Sequence, residues 1–237
     1  IRHSLTKMSY FHFVTTEVYK KRVIQLGEDP KRVFFVGGLG IDSIENTSLL
    51  TRKQLEKKFN VKLNKTFLMI TYHSVTLERE NNLKTVKEML EALDHFKDSS
   101  LIFTAPNADP DGGNITKAIK SFIGKNSNAH FFTSLGQNGY LSFLKEADCV
   151  VGNSSSGILE APYCGVGSVN IGDRQKGRLK PKSVVDVSND ASSIRDGIKT
   201  VLSENFKYSI QNQHNPFGDG NAGTKIVAIL EQELNKP

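Results

Sequence analysis

The chain has no tryptophan, two cysteines and three methionines in 237 residues. Cys149 and Cys164 form no CxxC pair and lie in apolar surroundings, which excludes a disulfide scaffold and a paired-thiolate metal site. They are expected to be buried free thiols in a reducing compartment. No stretch approaches the roughly 18 apolar residues of a membrane helix. The opening Ile1-Arg2-His3-Ser4 carries no signal-peptide pattern, so a cytoplasmic protein without membrane partners is expected. Basic residues never run five in a row, and helix-turn-helix, zinc-finger and RNA-recognition patterns are missing. Nucleic acid is therefore not an expected partner, although the formal charge of +6 favours anionic ligands in general. Short-period repeats and low-complexity tracts are also lacking, which excludes solenoids and disordered tails.

What is present is an alternation of short apolar strands with amphipathic helices. Strands are predicted at Phe11–Thr15, Arg32–Val36, Phe67–Tyr72, Leu101–Ala105, Ala129–Thr133, Cys149–Gly152, Ser168–Ile171 and Ser183–Val187. Helices are predicted at Glu17–Leu26, Arg52–Phe59, Asn82–Phe96, Ile115–Ile123, Tyr140–Lys145, Gly157–Tyr163, Ala191–Leu202 and Thr224–Leu234. The polar stretch 41–50 reads as a linker. This pattern predicts an α/β fold, a doubly wound parallel sheet covered on both faces. Residues 43–237 would be one complete domain and residues 1–42 the tail of another of the same kind. Ile1, Leu5, Met8 and Ser9 share a helical stripe with no capping residue before it, so the chain is expected to begin inside a helix.

Open parallel sheets bind ligands at the carboxyl ends of their strands. After Cys149–Gly152 comes Gly152-Asn153-Ser154-Ser155-Ser156-Gly157-Ile158-Leu159-Glu160. Small residues admit close backbone approach, and serines at a helix amino terminus suit a phosphate. Glu160 could accept hydrogen bonds from ribose hydroxyls. Plain serine capping explains the same pattern, and the residues leave both open. After Ser168–Ile171, residues Gly172 to Lys182 carry five basic side chains in eleven positions. Arg174 there could grip a diphosphate bidentately, or the charges could protect a sheet edge. His73 ends Phe67–Tyr72 and faces the cleft, as a proton-transfer or phosphate-binding group or as an ordinary loop histidine. The Pro106–Gly113 segment is turn chemistry, with Asp111 a helix cap. Asp109 and Asp111 lack the neighbours of a calcium loop, so no metal is expected. Asn215–Gly220 stands as a tight loop.

Five segments taken in order, Arg2–Lys7, Thr71–Thr76, Gly152–Glu160, Gly172–Arg178 and Asn215–Gly220, resemble the UDP-N-acetylglucosamine 2-epimerase family. The GNSSSG…E run followed by GDRQKGR points to the hydrolysing branch that serves sialic acid and related nonulosonic acid synthesis. The resemblance spans the whole chain and implies two Rossmann-like domains in the glycosyltransferase-B arrangement, of which this chain carries the second. It implies a UDP-sugar substrate, no cofactor, no metal and a possible homodimer. Ser154, Ser155 and Glu160 would hold the diphosphate and ribose of UDP, Arg174 would lie in the same site, and Asn107 would line the cleft. His73 matches the family's functional histidine near the leaving diphosphate, and uracil would rest near Phe132–Leu135.

The family reaction removes the C2 proton of the sugar, eliminates UDP and adds water to the glycal. Its acid and base carboxylates lie in the amino-terminal domain, before Ile1, and His3 cannot replace them. The chain alone is therefore expected to be inactive. Three alternatives stay open: a glycosyltransferase-B type sugar transferase, a non-hydrolysing 2-epimerase, and a UDP-binding module without catalysis. Nucleic-acid binding through the basic loop lacks interleaved aromatics.

Overall fold

A computed structural model describes residues 1–75, 79–107 and 111–235. In chain order the elements are α1 (Arg2–Met8), β1 (His12–Val14), α2 (Glu17–Gln25), β2 (Val33–Phe35), α3 (Leu39–Glu45), α4 (Arg52–Phe59) and β3 (Thr66–Thr71). Then follow α5 (Arg79–Leu93), β4 (Ser99–Thr104), α6 (Gly112–Ile123), β5 (Ala129–Phe132), α7 (Gly136–Glu146), β6 (Cys149–Gly152) and α8 (Ser156–Leu159). The chain closes with β7 (Ser168–Ile171), β8 (Val184–Val187), α9 (Ala191–Leu202), α10 (Glu204–Ile210) and α11 (Ala222–Leu234). These elements fall into two units, Ser48–Gln213 and Ile1–Thr47 with His214–Pro237.

The larger unit holds a six-stranded, wholly parallel sheet in the order β5-β4-β3-β6-β7-β8. The chain walks outward from β3 to β5, returns past β3 to lay down β6, and walks outward the other way. Right-handed crossovers in opposite directions put helices on both faces, and the reversal opens a crevice at the carboxyl ends of β3 and β6. Strand β3 is therefore apolar on both sides. Leu68, Ile70 and Tyr72 join Val86 and Met89 of α5, Ile115 and Ile119 of α6 and Ile194 and Ile198 of α9 in one cluster. The alternate residue Phe67 meets Phe143 of α7 edge-on at 6.1 Å, and Phe143 meets Phe59 of α4 at 5.2 Å. Each such fully buried side chain contributes about 1.5–3 kcal/mol of transfer free energy. The doubly wound parallel sheet expected from the sequence is present.

The smaller unit pairs β1 with β2 in parallel, His12 opposite Val33 and Val14 opposite Phe35. Lys7 of α1 donates to the Leu26 carbonyl at 2.6 Å and pairs with Glu28 at 2.8 Å. Its contacts thus cap the end of α2, while His3 is exposed. Asp42 accepts from the backbone N–H groups of Ala222 at 2.9 Å and Gly223 at 2.6 Å, which caps α11 from α3. Phe217 is buried, and its carbonyl accepts from Gly38 N at 2.7 Å.

Three features depart from the sequence expectation. The stretch 41–50 opens on helix rather than linker, because Ile41 and Ile44 of α3 are one turn apart and both buried. Helix α10 was not anticipated; Ser203 caps it by accepting from Phe206 N at 3.3 Å. Residues 43–47 and 214–235 group with the amino-terminal segment, whereas the sequence placed 43–237 in one domain. Asp42 and the Phe217 loop supply the contacts that hold them there.

Candidate functional site at the strand ends

Within the larger unit, each residue singled out from the sequence follows the carboxyl end of a strand. His73 follows β3, Asn107 follows β4, Asn153 to Glu160 follow β6, and Arg174 follows β7. The first and third flank the crevice where strand order reverses. Gly152 brings them together. It pairs in register with Thr71, has φ +136°, and any Cβ there would stand 2.0 Å from the Thr71 carbonyl oxygen. No side chain fits that approach. Beside it, the Thr71 and Thr104 hydroxyls hydrogen-bond at 2.6 Å.

His73 is fixed from two directions. The Asn153 side chain accepts from His73 N at 2.8 Å and donates to His73 O at 2.8 Å. The imidazole Nδ1 accepts from the backbone N–H of Asn107 at 3.1 Å. A backbone N–H can only donate, so neutral His73 carries its proton on Nε2. The structure thus brings His73 and Asn107 into contact, with the histidine presenting a donor at Nε2 instead of a base at Nδ1.

The serine run is organised differently from the sequence expectation. Helix α8 is only four residues long and not the seven-residue Gly157–Tyr163. Pro162 and Gly165 lie just beyond it, and proline and glycine interrupt α-helix propagation. One turn carries little macrodipole, so an anion here would depend on local N–H and hydroxyl groups. Ser154 Oγ accepts from Ser156 N at 3.3 Å, while Ser155, at the N-cap position, makes no side-chain capping bond.

Glu160 closes the run with a carboxyl drawn out of solvent. Its Oε2 is buried and, among the described residues, has no hydrogen-bond partner. Burial pushes the carboxyl above its ordinary value, outweighing the opposite pull of hydrogen bonding from its own backbone and the Ser156 side chain. Tyr140 of α7 lies close by; burial pushes its phenol up to about 12, and the Glu160 charge adds to that shift. A raised carboxyl means that the folded chain binds the proton more tightly than the unfolded chain. The stability linked to Glu160 is therefore complete below the ordinary carboxylate range and declines as pH rises through it. Glu160→Gln, which cannot ionise, is expected to gain on the wild type in urea unfolding as pH rises above the ordinary carboxylate range. A gain that shrinks with pH would contradict this.

Arg174 donates from Nη1 to the Asn153 carbonyl at 3.0 Å, and the buried Gln175 donates to the same oxygen at 2.8 Å. Two lysines of the basic loop pair with acids: Lys176 with Asp173 at 3.0 Å and Lys180 with Asp186 at 2.7 Å. They border a cavity of about 570 Å³ with Gly172 and Asn189. Asn153 and Gln175 stand inside motifs read from the sequence, but no role was assigned to them or to Tyr140; their seclusion from solvent shows only in the fold. Phe132 packs on Phe59 at 5.5 Å. Asp111 begins α6 at φ +74° without capping it through its side chain, unlike the expected cap. Thr76 and Asp109 lie outside the described residues. Among those described, no group of His, Cys, Asp and Glu would hold a metal ion. Nor is any helix long and apolar enough to cross a membrane. Cys149 and Cys164 are both buried thiols.

The family model described as UDP-N-acetylglucosamine 2-epimerase matches residues 1–231. The chain belongs to this family. It is 42% identical over 236 residues to a Campylobacter jejuni GDP/UDP-N,N'-diacetylbacillosamine 2-epimerase (hydrolyzing), covering 99% of this chain and 61% of that protein. It is 38% identical over 232 residues to the Escherichia coli polysialic acid biosynthesis protein P7, covering 98% of this chain and 59% of that one. Among solved structures, the Methanocaldococcus jannaschii UDP-GlcNAc 2-epimerase in complex with UDP-GlcNAc and UDP superposes with TM-score 0.75 at 20% identity. That match covers 95% of this chain and 62% of the other. The fold is thus that of the epimerase family, and the chain spans about three fifths of these relatives' length.

Proposed function

We propose that this chain is the UDP-binding part of a hydrolysing 2-epimerase acting on a UDP-linked 2-acetamido sugar. The observation that carries the proposal is that a half-buried arginine, two half-buried serines and a carboxyl whose buried Oε2 has no partner among the described residues all follow the ends of the adjacent strands β6 and β7. An acceptor buried without a donor suits a ligand that brings hydroxyl groups, as ribose does. Arg174, Ser154 and Ser155 suit the diphosphate, Asn107 lines the cleft beside them, and uracil is assigned to Phe132–Leu135.

In the proposed reaction the C2–H bond and the bond from C1 to the diphosphate oxygen break, giving a proton, UDP and a glycal. Water then supplies H to C2 from the opposite face and OH to C1, so that the products are UDP and the free 2-epimeric sugar. Negative charge grows on the leaving diphosphate. Arg174, the serine run and the Nε2–H of His73 are assigned to meet it, and removing one such donor typically costs about 3 kcal/mol of transition-state stabilisation. The C2 base is assigned to the part of the longer protein outside this chain. Support for hydrolysis comes from the Campylobacter relative, which also makes a diacetylated bacillosamine a competing substrate to N-acetylglucosamine.

Proton NMR of the longer protein with each UDP-sugar tests this. Free UDP and an equal amount of free 2-epimeric sugar are expected from one of them. A 2-epimer still bound to UDP would mean a non-hydrolysing enzyme, and turnover only with an acceptor would mean a transferase. The present chain alone is expected to release no sugar.

A further inference from the structure

We propose that Asn153 is a positioning residue that ties His73 and Arg174 into one frame around the leaving diphosphate. The proposal rests on the nucleotide site described above and adds to it a residue with no assigned contact to ligand.

Asn153 is 1% exposed, and all four of its polar atoms are engaged. Its backbone N–H donates to the Thr71 carbonyl at 3.2 Å. Its side chain then exchanges two hydrogen bonds of 2.8 Å with the backbone of His73. That pair extends the β3–β6 ladder beyond its last register pair, Thr71 with Gly152, with an amide side chain in place of a strand residue. The Asn153 carbonyl accepts from Arg174 Nη1 at 3.0 Å and Gln175 Nε2 at 2.8 Å, and so uses both of its lone pairs. One residue therefore holds the ends of three strands, β3, β6 and β7.

The chemistry of the side chain is specific. Facing a backbone N–H and a backbone C=O together requires one acceptor and one donor on a planar group, which asparagine supplies. Aspartate at this position would set a carboxylate oxygen against the His73 carbonyl, and serine offers a single group. Since His73 Nδ1 is occupied by Asn107 N–H, a backbone locked at His73 also locks the direction of Nε2–H. A shift of the 153 peptide would move Arg174 with it. A buried amide is costly unless its polar atoms are satisfied, and the bonds that satisfy Asn153 include those to the two proposed diphosphate ligands.

The test uses this chain, UDP as probe, and ¹⁵N spectra of the His73 imidazole without ligand. Asn153→Ala is expected to weaken UDP binding roughly 10-fold, the loss of about one buried hydrogen-bonded contact. It is also expected to merge the separate Nδ1 and Nε2 signals of a single tautomer toward their average. In an Arg174→Ala background the same substitution is expected to cost clearly less, because its effect passes partly through that guanidinium. Should Asn153→Ala fail to fold, Asn153→Asp keeps the shape; its charge repels a diphosphate, so only the imidazole spectrum is read, and loss of the single tautomer is expected. Unchanged His73 signals and UDP affinity in Asn153→Ala, or costs that simply add to those of Arg174→Ala, would overturn the positioning role and leave the nucleotide site standing. If Arg174→Ala and Glu160→Ala both bind UDP like the wild type, the nucleotide site itself is wrong, and the role of Asn153 falls with it.

Discussion

Arg174→Ala is expected to weaken UDP binding by about 10- to 100-fold, the range of one charge-assisted contact to an anion. Five basic side chains crowd the Gly172–Lys182 loop, yet they are not equivalent. Lys176 and Lys180 are paired with Asp173 and Asp186. Arg174 instead turns to the end of β6, where its Nη1 is held by the Asn153 carbonyl. Lys176→Ala is therefore expected to leave affinity within about twofold, since exposed ion pairs contribute little. Arg174→Lys is expected to rescue poorly, because a point charge cannot bind the carbonyl and a phosphate in the same planar fork. Calorimetric titration of the three variants with UDP decides. Equal losses for Arg174→Ala and Lys176→Ala would mean that the loop acts through bulk charge and not through one guanidinium.

Gly152→Val is expected to destabilise the fold by at least about 3 kcal/mol, combining backbone strain with overpacking. The glycine sits at φ +136°, and a Cβ would lie 2.0 Å from the Thr71 oxygen. Relief would require β6 to move away from β3, which opens the crevice that holds His73 and Asn153. Gly165 provides the contrast: its φ is +74°, but a Cβ there meets nothing within 4 Å. Gly165→Ala should thus cost only the backbone preference, about 1–2 kcal/mol. Urea unfolding of both variants measures the difference. A Gly152→Val protein as stable as the Gly165→Ala one would contradict the close β3–β6 approach.

Much of the fold was legible because burial on both faces makes strands read as unbroken apolar runs. Phe67–Ile70 is such a run, and it lies in the middle of the sheet. The reversal of strand order was not legible, since no local pattern in Cys149–Gly152 says that it lies beside Phe67–Tyr72. The helix Leu39–Glu45 escaped because only two of its side chains are buried, Ile41 and Ile44. The Asn215–Gly220 loop looked inert until Phe217 was seen to be buried with its carbonyl on Gly38. At the site, glycine and serine spacing pointed to the end of β6, and the basic residues pointed to the loop after β7. What spacing cannot show is which carbonyl the Arg174 guanidinium meets and which amide is buried. Those two facts join Arg174 to the end of β6 and bring Asn153 and Gln175 into view.

The most direct measurement is a crystal structure of this chain grown with UDP. The diphosphate is expected within hydrogen-bonding distance of Ser154, Ser155 and Arg174, with the ribose hydroxyls on the Glu160 carboxylate and His73 Nε2 turned toward the phosphate oxygens. UDP bound elsewhere, for example in the cavity between Lys176 and Asn189, with Glu160 Oε2 still lacking a donor, would contradict a nucleotide site at the ends of β6 and β7.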